Sequence, residues 1–150
     1  MTHTTLARTF ATALFAAAAL ITAAAQAPAP VTFVSHDKVA GCNKGGTLVT
    51  ATDLLVQCSN RTGPGVVEVH VKETDILYII DGSATFVTGG TTVNAKAGTN
   101  PLQIRGTDIT GGESRQLVKG DVIVVPAGVP HWFKEVPTSV SYYVVKVLKP

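Results

Sequence analysis

From about residue 31 onward, short runs of alternating apolar and polar residues are separated by glycine, proline and asparagine. This pattern is typical of β-strands joined by turns, and the many valines, isoleucines and threonines favour strands over helices. The Asp81-Gly82 pair is expected to form one of the turns. Close spacing of short strands indicates a sandwich or a barrel. Strands are predicted at 47–51, 54–59, 66–71, 75–81, 84–88, 114–118, 121–125 and 140–148.

One segment before these strands has the signals of a short helix. Ser35 belongs to the residue types that cap helix N-termini, and Asp37 would place a negative charge in the first turn, where the helix dipole favours it. Gly45 and Gly46 would end the helix. We therefore predict a helix from Ser35 to about Asn43, at the start of an otherwise all-β domain.

Residues 89–113 break the strand pattern, because they are rich in glycine and threonine and show no clear apolar alternation. A long stretch of that kind inside a compact domain usually has a function. We expect it to be a loop that closes over a site as a lid.

The N-terminal segment differs from the rest in composition. It is rich in alanine, and Arg8 is its one charged residue. A positive charge, an apolar stretch and a small-residue exit are typical of a secretory signal peptide. We predict a signal peptide at 1–25, a linker and first extended segment at 26–34, and a single domain at 35–150. The protein would then be exported, periplasmic or secreted, with no membrane contact after cleavage.

Charge and motifs exclude several partners. The net charge is +2 and falls to +1 once Arg8 leaves with the signal peptide. A nucleic-acid surface needs a much larger, clustered excess of basic residues, so no nucleic-acid partner is expected. The sequence has no P-loop, dinucleotide fingerprint, nucleophile elbow or HExxH motif, and therefore indicates no organic cofactor.

Cys42 and Cys58 are the two cysteines of the chain. Their separation is not the CxxC spacing of a redox or zinc site. In the oxidising compartment implied by export, we expect them to form a disulfide, worth about 3 kcal/mol for a loop of this size.

Four residues near the C-terminal end follow the spacing G(x)5PxG(x)2H. They are Gly120, Pro126, Gly128 and His131. A strand that runs into a Pro-Gly turn would hold the following histidine in a defined direction. The pattern resembles the second signature motif of the cupins at each of these positions. It departs from that motif at Glu135, where an asparagine is expected.

An altered form of the first cupin motif, G(x)5HxH(x)3–4E(x)6G, lies upstream. Asp75 and Gly82 match its end, but reading His70 as the first histidine puts Lys72 in place of the second. Together the two motifs cover residues 65–135, and on them the chain resembles the cupins. This resemblance implies an all-β double-stranded β-helix, or jelly-roll barrel, with the short helix at its N-terminus.

The altered motif leaves the direction of His70 open. Counting back from Asp75 puts Val69 and Val71 at the histidine positions, so that His70 would face solvent and the pocket would be apolar. Counting from His70 instead directs both His70 and Lys72 inward. Both registers fit the sequence.

If His70 faces inward, it forms with Asp75 and His131 a set of two imidazoles and one carboxylate. This set suits a divalent ion such as Fe, Mn, Ni or Zn. Lys72 and Arg105 are the candidates for binding an anionic substrate. The first hypothesis is therefore an exported cupin that binds a divalent metal at the barrel mouth and acts on, or holds, a small anionic molecule. If it is an enzyme, oxygenase or isomerase chemistry is expected.

The second hypothesis is a metal-free cupin that binds a small ligand in an apolar pocket or serves as a dimeric interaction module. The predicted strand at 140–148 is strongly apolar, and as an edge strand it would need a cover, which favours a homodimer. The cupin resemblance gives a scaffold and the place of a site, and does not select a reaction.

Overall fold

The computed structural model describes residues 29–149. The predicted signal peptide at 1–25 lies outside these residues, and the division into a linker and a domain stays a prediction. Within 29–149 no helix is long and apolar enough to cross a membrane. The elements are α1 (His36–Ala40), a 3₁₀ helix (Gly41–Lys44), β1 (Gly46–Thr50), β2 (Leu54–Arg61), β3 (Val67–His70), β4 (Glu73–Thr88), β5 (Thr91–Val93), β6 (Lys96–Ala97), β7 (Gln103–Gly106), β8 (Asp108–Thr110), β9 (Glu113–Val118), β10 (Val122–Val125), β11 (His131–Glu135) and β12 (Val140–Leu148).

The predicted N-terminal helix is present in two pieces, α1 and the 3₁₀ helix. Ser35 has the extended backbone of a helix N-cap, and its carbonyl accepts hydrogen bonds from the N–H groups of Lys38 and Val39 at 3.1 and 3.2 Å. Its hydroxyl makes no capping hydrogen bond. Gly45, with φ of 70°, ends the 3₁₀ helix. The expectation of an all-β fold with a short N-terminal helix is confirmed.

β4 joins two strands that the sequence analysis separates. Its first half pairs with β12 and β10, and its second half pairs with β11 and β9. Between the halves, Gly82 has φ of 80°, and the register with β12 shifts by one residue near this point. The predicted turn at Asp81-Gly82 is therefore wrong: the pair forms a bend at which one long strand passes from one part of the sheet to the other.

The main sheet has the strand order β1-β2-β12-β4-β11-β3-β7-β6, with β9 and β10 also on β4, and each pairing is antiparallel. This arrangement is the jelly-roll that the resemblance implied. β12 lies between β2 and β4, with Val144 opposite both Gln57 and Leu77. The prediction that 140–148 is an edge strand is therefore wrong, and the argument for a homodimer based on that edge is lost.

The stretch 89–113 is regular where a loop was expected. β5 pairs with β8, β6 pairs with β7, and β7 joins the main sheet beside β3. Close packing explains part of its glycine content, since a side chain at Gly106 would meet Thr92 and the backbone of Val93. The expectation of an irregular lid is therefore not supported by the way this stretch folds.

The core occupies part of the barrel interior, where Ile79, Phe86 and Val140 are fully buried. The rings of Phe86 and Phe133 meet edge-on at 4.6 Å, and Phe133 stacks on Tyr142 at 5.0 Å. Outside this core, the predicted Cys42–Cys58 disulfide joins the 3₁₀ helix to β2. Phe86, Phe133 and Tyr142 thus form an aromatic cluster. Other interior residues enclose a cavity beside this cluster.

Candidate functional site

A cavity of about 170 Å³ lies inside the barrel next to the aromatic cluster. Alternate residues of β2, β4 and β12 form one wall, and residues of β3, β7 and β11 form the other. The cavity contains both imidazoles of the sequence-predicted site. His36, the other histidine in the described part of the chain, is exposed on α1.

His70 faces this cavity, with 9% of its surface exposed. β3 is buried on both faces, because Val67 and Val69 are buried on the face opposite to Glu68 and His70. The two valines are therefore buried on one face of β3, and His70 is buried on the other. His70 points inward, as in the second of the two registers that the sequence leaves open, but Lys72, which that register also directs inward, is exposed.

His131 begins β11, directly after the turn at 126–130. Its Nδ1 lies 3.2 Å from the carbonyl oxygen of Val129, so that the Nδ1–H donates and the lone pair of Nε2 is free for a ligand. The turn is tied to β3, because the N–H of Gly128 donates to the carbonyl of His70 at 2.8 Å. Burial lowers the pKa of His131 below its usual value of about 6.5. The imidazole is therefore neutral at pH 7, which is the form that binds metal ions.

Carboxylates surround the two imidazoles, whose ring centres are 5.1 Å apart. Nε2 of His70 lies 3.6 Å from Asp75 Oδ2, and Nε2 of His131 lies 3.9 Å from the same oxygen. Glu73 Oε2 lies 3.4 Å from His70 Nδ1. Two sets of residues bring their ligand atoms within 4.8 Å of one another: Glu68 with His70 and His131, and His70 with Glu73 and Asp75.

Lys146 occupies the second of these sets. Its Nζ is 3.0 Å from both oxygens of Asp75, 3.1 Å from Glu73 Oε2 and 3.4 Å from His70 Nε2. Only 13% of the lysine side chain is exposed. The ammonium group lies where a cation bound by Glu73 and Asp75 would lie, and it already neutralises part of their charge.

The first set fits a divalent metal better. Glu68 accepts a hydrogen bond from Gln103 Nε2 at 3.1 Å and lies 3.6 Å from Arg105 Nη2, but both contacts are to Oε1. The other oxygen, Oε2, is not used by either contact. Two imidazoles and one carboxylate form a donor set that binds Fe, Mn, Ni or Zn and leaves coordination positions open.

The structure brings together His70, Asp75 and His131 but leaves the two predicted ligand-binding cations outside the cavity. Lys72 is exposed between β3 and β4. The side chain of Arg105 is 55% exposed and contacts the cavity only through Glu68. Their roles in ligand binding stay predictions.

Two residues at the centre of the site were missed in the sequence. The position of Glu68 could have been found from the motif spacing. Four residues separate His70 from Asp75, which the cupin motif allows, and this spacing puts Glu68 and His70 at its two histidine positions. Lys146 has only a weak signal. Lys146 shares the inward face of β12 with Tyr142 and Val144. Its charge interrupts the apolar pattern of that face, and this interruption is the local sign of its role.

Several solved structures align with this chain. The protein BH2720 from Bacillus halodurans aligns over 81% of this chain and 84% of its own, with a TM-score of 0.57 and 15% identity. KdgF from Halomonas sp. aligns over 71% and 80%, with a TM-score of 0.48 and 18% identity. The DMSP lyase DddQ from Ruegeria pomeroyi aligns over 69% and 45%, with a TM-score of 0.49 and 18% identity. The likeness to BH2720, at 15% identity, concerns the fold alone.

Comparison of sequences gives the family. No curated protein matches this chain. The family model described as Cupin matches residues 29–150, which include both motifs and each residue of the cavity. The match covers well over half of the sequence, and the jelly-roll fold agrees with it. The chain therefore belongs to the cupin family.

Proposed function

We propose that this cupin is an exported protein that binds one divalent metal ion in the barrel and holds a small anionic molecule beside it. His70 and His131 would supply two imidazole ligands. Glu68 is the preferred carboxylate ligand, and Asp75 is the alternative. The observation that carries this proposal is the convergence of two buried imidazoles and a carboxylate on one cavity.

The chemistry of these residues supports a metal rather than an organic cofactor. A neutral imidazole and an ionised carboxylate are the forms that bind divalent ions. With three protein ligands, a bound metal would keep open positions and act there as a Lewis acid. Sites with two histidines and one carboxylate are used by non-haem iron oxygenases, so oxygenase activity is the first reaction to assay, with isomerase activity as the second.

Export is supported by the alanine-rich leader with its single charge and by the disulfide. A disulfide persists in the periplasm or outside the cell and is rare in the cytosol. A thiol count before and after reduction of natively purified protein tests this part: two free thiols before reduction would contradict it.

Lys146 favours a second candidate function, a metal-free cupin that binds a small ligand or serves as an interaction module. Its ammonium group already compensates Asp75 and Glu73, so part of the polar cluster needs no metal ion. In this case His70 and His131 would be hydrogen-bonding groups for a ligand.

Elemental analysis separates the two candidates. The mature protein is incubated in turn with Fe, Mn, Ni and Zn salts, dialysed and measured. We expect about one equivalent of metal in the wild type, and loss of that metal in His70→Ala and His131→Ala. His36→Ala, at an exposed position on α1, is the matched control and should keep it. A wild type that retains no metal would overturn the first candidate in favour of the second, and a metal retained in both cavity variants would place it elsewhere.

A further inference from the structure

We propose that the anionic molecule held in this cavity is a small monocarboxylate and that Arg61 binds its carboxylate group. The proposal deepens the proposed function, on which it rests for the presence of a small anionic ligand, and it does not depend on the metal. Arg61 is not part of either cupin motif.

The cavity wall holds Arg61 in a fixed orientation. Arg61 is the last residue of β2, opposite Val140 of β12, and its half-buried side chain lines the cavity. Its Nε donates a hydrogen bond to the hydroxyl of Tyr142 at 3.0 Å, and its guanidinium carbon lies 4.9 Å from the centre of the Phe133 ring. The guanidinium group is therefore held at one edge by a hydrogen bond and on one face by an aromatic ring. It has lost much of its conformational freedom before a ligand binds.

Among residues 29–149, Arg61 differs from the other cations of the site in having no carboxylate partner. Lys146 is paired with Glu73 and Asp75, and Arg105 is paired with Glu68. The contacts of Arg61 are a neutral hydroxyl and an aromatic ring. Its two Nη groups are therefore available as parallel donors, and this is the arrangement that binds a carboxylate through two charge-assisted hydrogen bonds.

Between Arg61 and the two histidines, the cavity is lined by apolar side chains of β4, β11 and β12 and by the polar side chains of Gln57 and Ser59 on β2. The apolar side chains are those of Leu77, Val144 and Phe133, which are buried. On β12, Val144 lies between Tyr142, the partner of Arg61, and Lys146, the partner of Asp75. A ligand that fits this order has a carboxylate at one end and a mainly apolar body, one side of which can face the polar side chains of β2.

The volume limits the size of that body. The cavity measures about 170 Å³, and an apolar cavity of roughly 150 Å³ is sufficient for benzene. The carboxylate would therefore be attached to a ring or a chain of about six carbons. A second negative charge at the far end would approach the carboxylate of Glu68, which favours a monocarboxylate over a dicarboxylate.

Calorimetric titration with benzoate and hexanoate tests the proposal, and benzyl alcohol serves as the uncharged analogue of benzoate. Each is titrated into chelator-treated and into metal-loaded protein whose metal content is measured. We expect at least one of the two acids to bind the chelator-treated wild type. Benzoate should bind at least about tenfold more tightly than benzyl alcohol, since its hydrogen bonds to Arg61 are charge-assisted. Arg61→Gln should remove this preference. Arg115→Gln, the same charge change at an arginine paired with Glu113 outside the cavity, should keep it.

The outcomes separate this proposal from the metal proposal. Arg61-dependent binding of an acid by metal-free protein supports it, even if the wild type retains no metal. Equal binding of benzoate and benzyl alcohol by the wild type would overturn it, and this measurement needs no variant to fold. Unchanged acid binding in Arg61→Gln would also overturn the Arg61 proposal, as would a failure of both acids to bind. The metal proposal is judged separately, from the metal content alone.

Discussion

The Nζ atom of Lys146 lies 3.0 Å from each carboxylate oxygen of Asp75, and the two residues face each other directly across β12 and β4. Both side chains are nearly buried, with 13% and 7% of their surface exposed. A buried acid is tolerated when a cation compensates it, and here the protein supplies that cation itself. The acid that the sequence offers as a metal ligand is therefore already paired.

Replacing Lys146 by methionine should destabilise the metal-free protein by about 3 kcal/mol, because the buried Asp75 and the half-buried Glu73 would lose their cation. Added Mn²⁺ should restore more stability to this variant than to the wild type, since the ion can take the place of the ammonium group. Urea unfolding with and without Mn²⁺ measures both effects.

Lys119→Met is the matched control, because its pair with Asp81 is 3.7 Å long and both side chains are more than 70% exposed. An exposed pair of this kind contributes less than about 1 kcal/mol. If the two lysine variants lose the same stability, then Lys146 does not compensate the buried acids.

Glu68→Gln should weaken metal binding more than Asp75→Asn. Lys146 makes no hydrogen bond to Glu68, whereas it holds both oxygens of Asp75. Loss of a direct ligand should exceed the roughly 10- to 100-fold typical of residues that only support a ligand. Competition with a chromophoric chelator gives the affinities. The opposite order would make Asp75 the carboxylate ligand, as the sequence first indicates.

The stability of chelator-treated protein should fall as the pH is lowered from 7 toward 5, in part through His131. Burial lowers the pKa of His131 in the folded protein. Below about pH 6.5 the unfolded chain takes up a proton that the folded imidazole resists, so that the free energy of unfolding falls until the pH passes the folded pKa. At a pH well above 6.5 the imidazole is neutral in both states and this contribution is constant.

Urea unfolding at several pH values measures this dependence. His131→Gln should show a shallower fall than the wild type, while His36→Gln, at an exposed position, should follow the wild type. Parallel curves for the wild type and His131→Gln would rule out His131 as a source of the pH dependence.

Gly82→Ala should destabilise the protein far more than Gly120→Ala. Both glycines have a positive φ, 80° and 93°, which costs a residue with a side chain about 1 kcal/mol. At Gly82 the new methyl group would also collide with the backbone carbonyl of Ser139, whereas the space at Gly120 is open. We expect a loss of about 1 kcal/mol for Gly120→Ala and at least about 3 kcal/mol for Gly82→Ala. Thermal unfolding of both variants checks the difference.

The sequence predicts most of the fold, because alternation of apolar and polar residues is a local property. The strand at 140–148 has the predicted bounds. The sequence misleads at Asp81-Gly82, since the same dipeptide can form a turn or a bend, and the choice depends on the distant backbone of Ser139. Strands of two to four residues at 89–113 are too short to show a period.

The site is less predictable than the fold. His131 is recognisable because its neighbours in sequence form the turn that holds it. The direction of His70 is set by the pairing of β3 with β7 and β11, which no local pattern encodes. Lys146 is 71 residues from Asp75 in sequence, and only the position of β12 in the sheet brings the two together.

The position of β12 has a consequence for the order of assembly. This strand pairs with both β2 and β4, and it delivers Tyr142 to Arg61 and Lys146 to Asp75. Until residues 140–148 insert, β2 and β4 present two unpaired edges to each other and the cavity lacks a wall. Such long-range pairing is a slow step in folding. The contacts proposed for ligand and metal binding therefore depend on the insertion of this one strand, which is the last strand of the described chain.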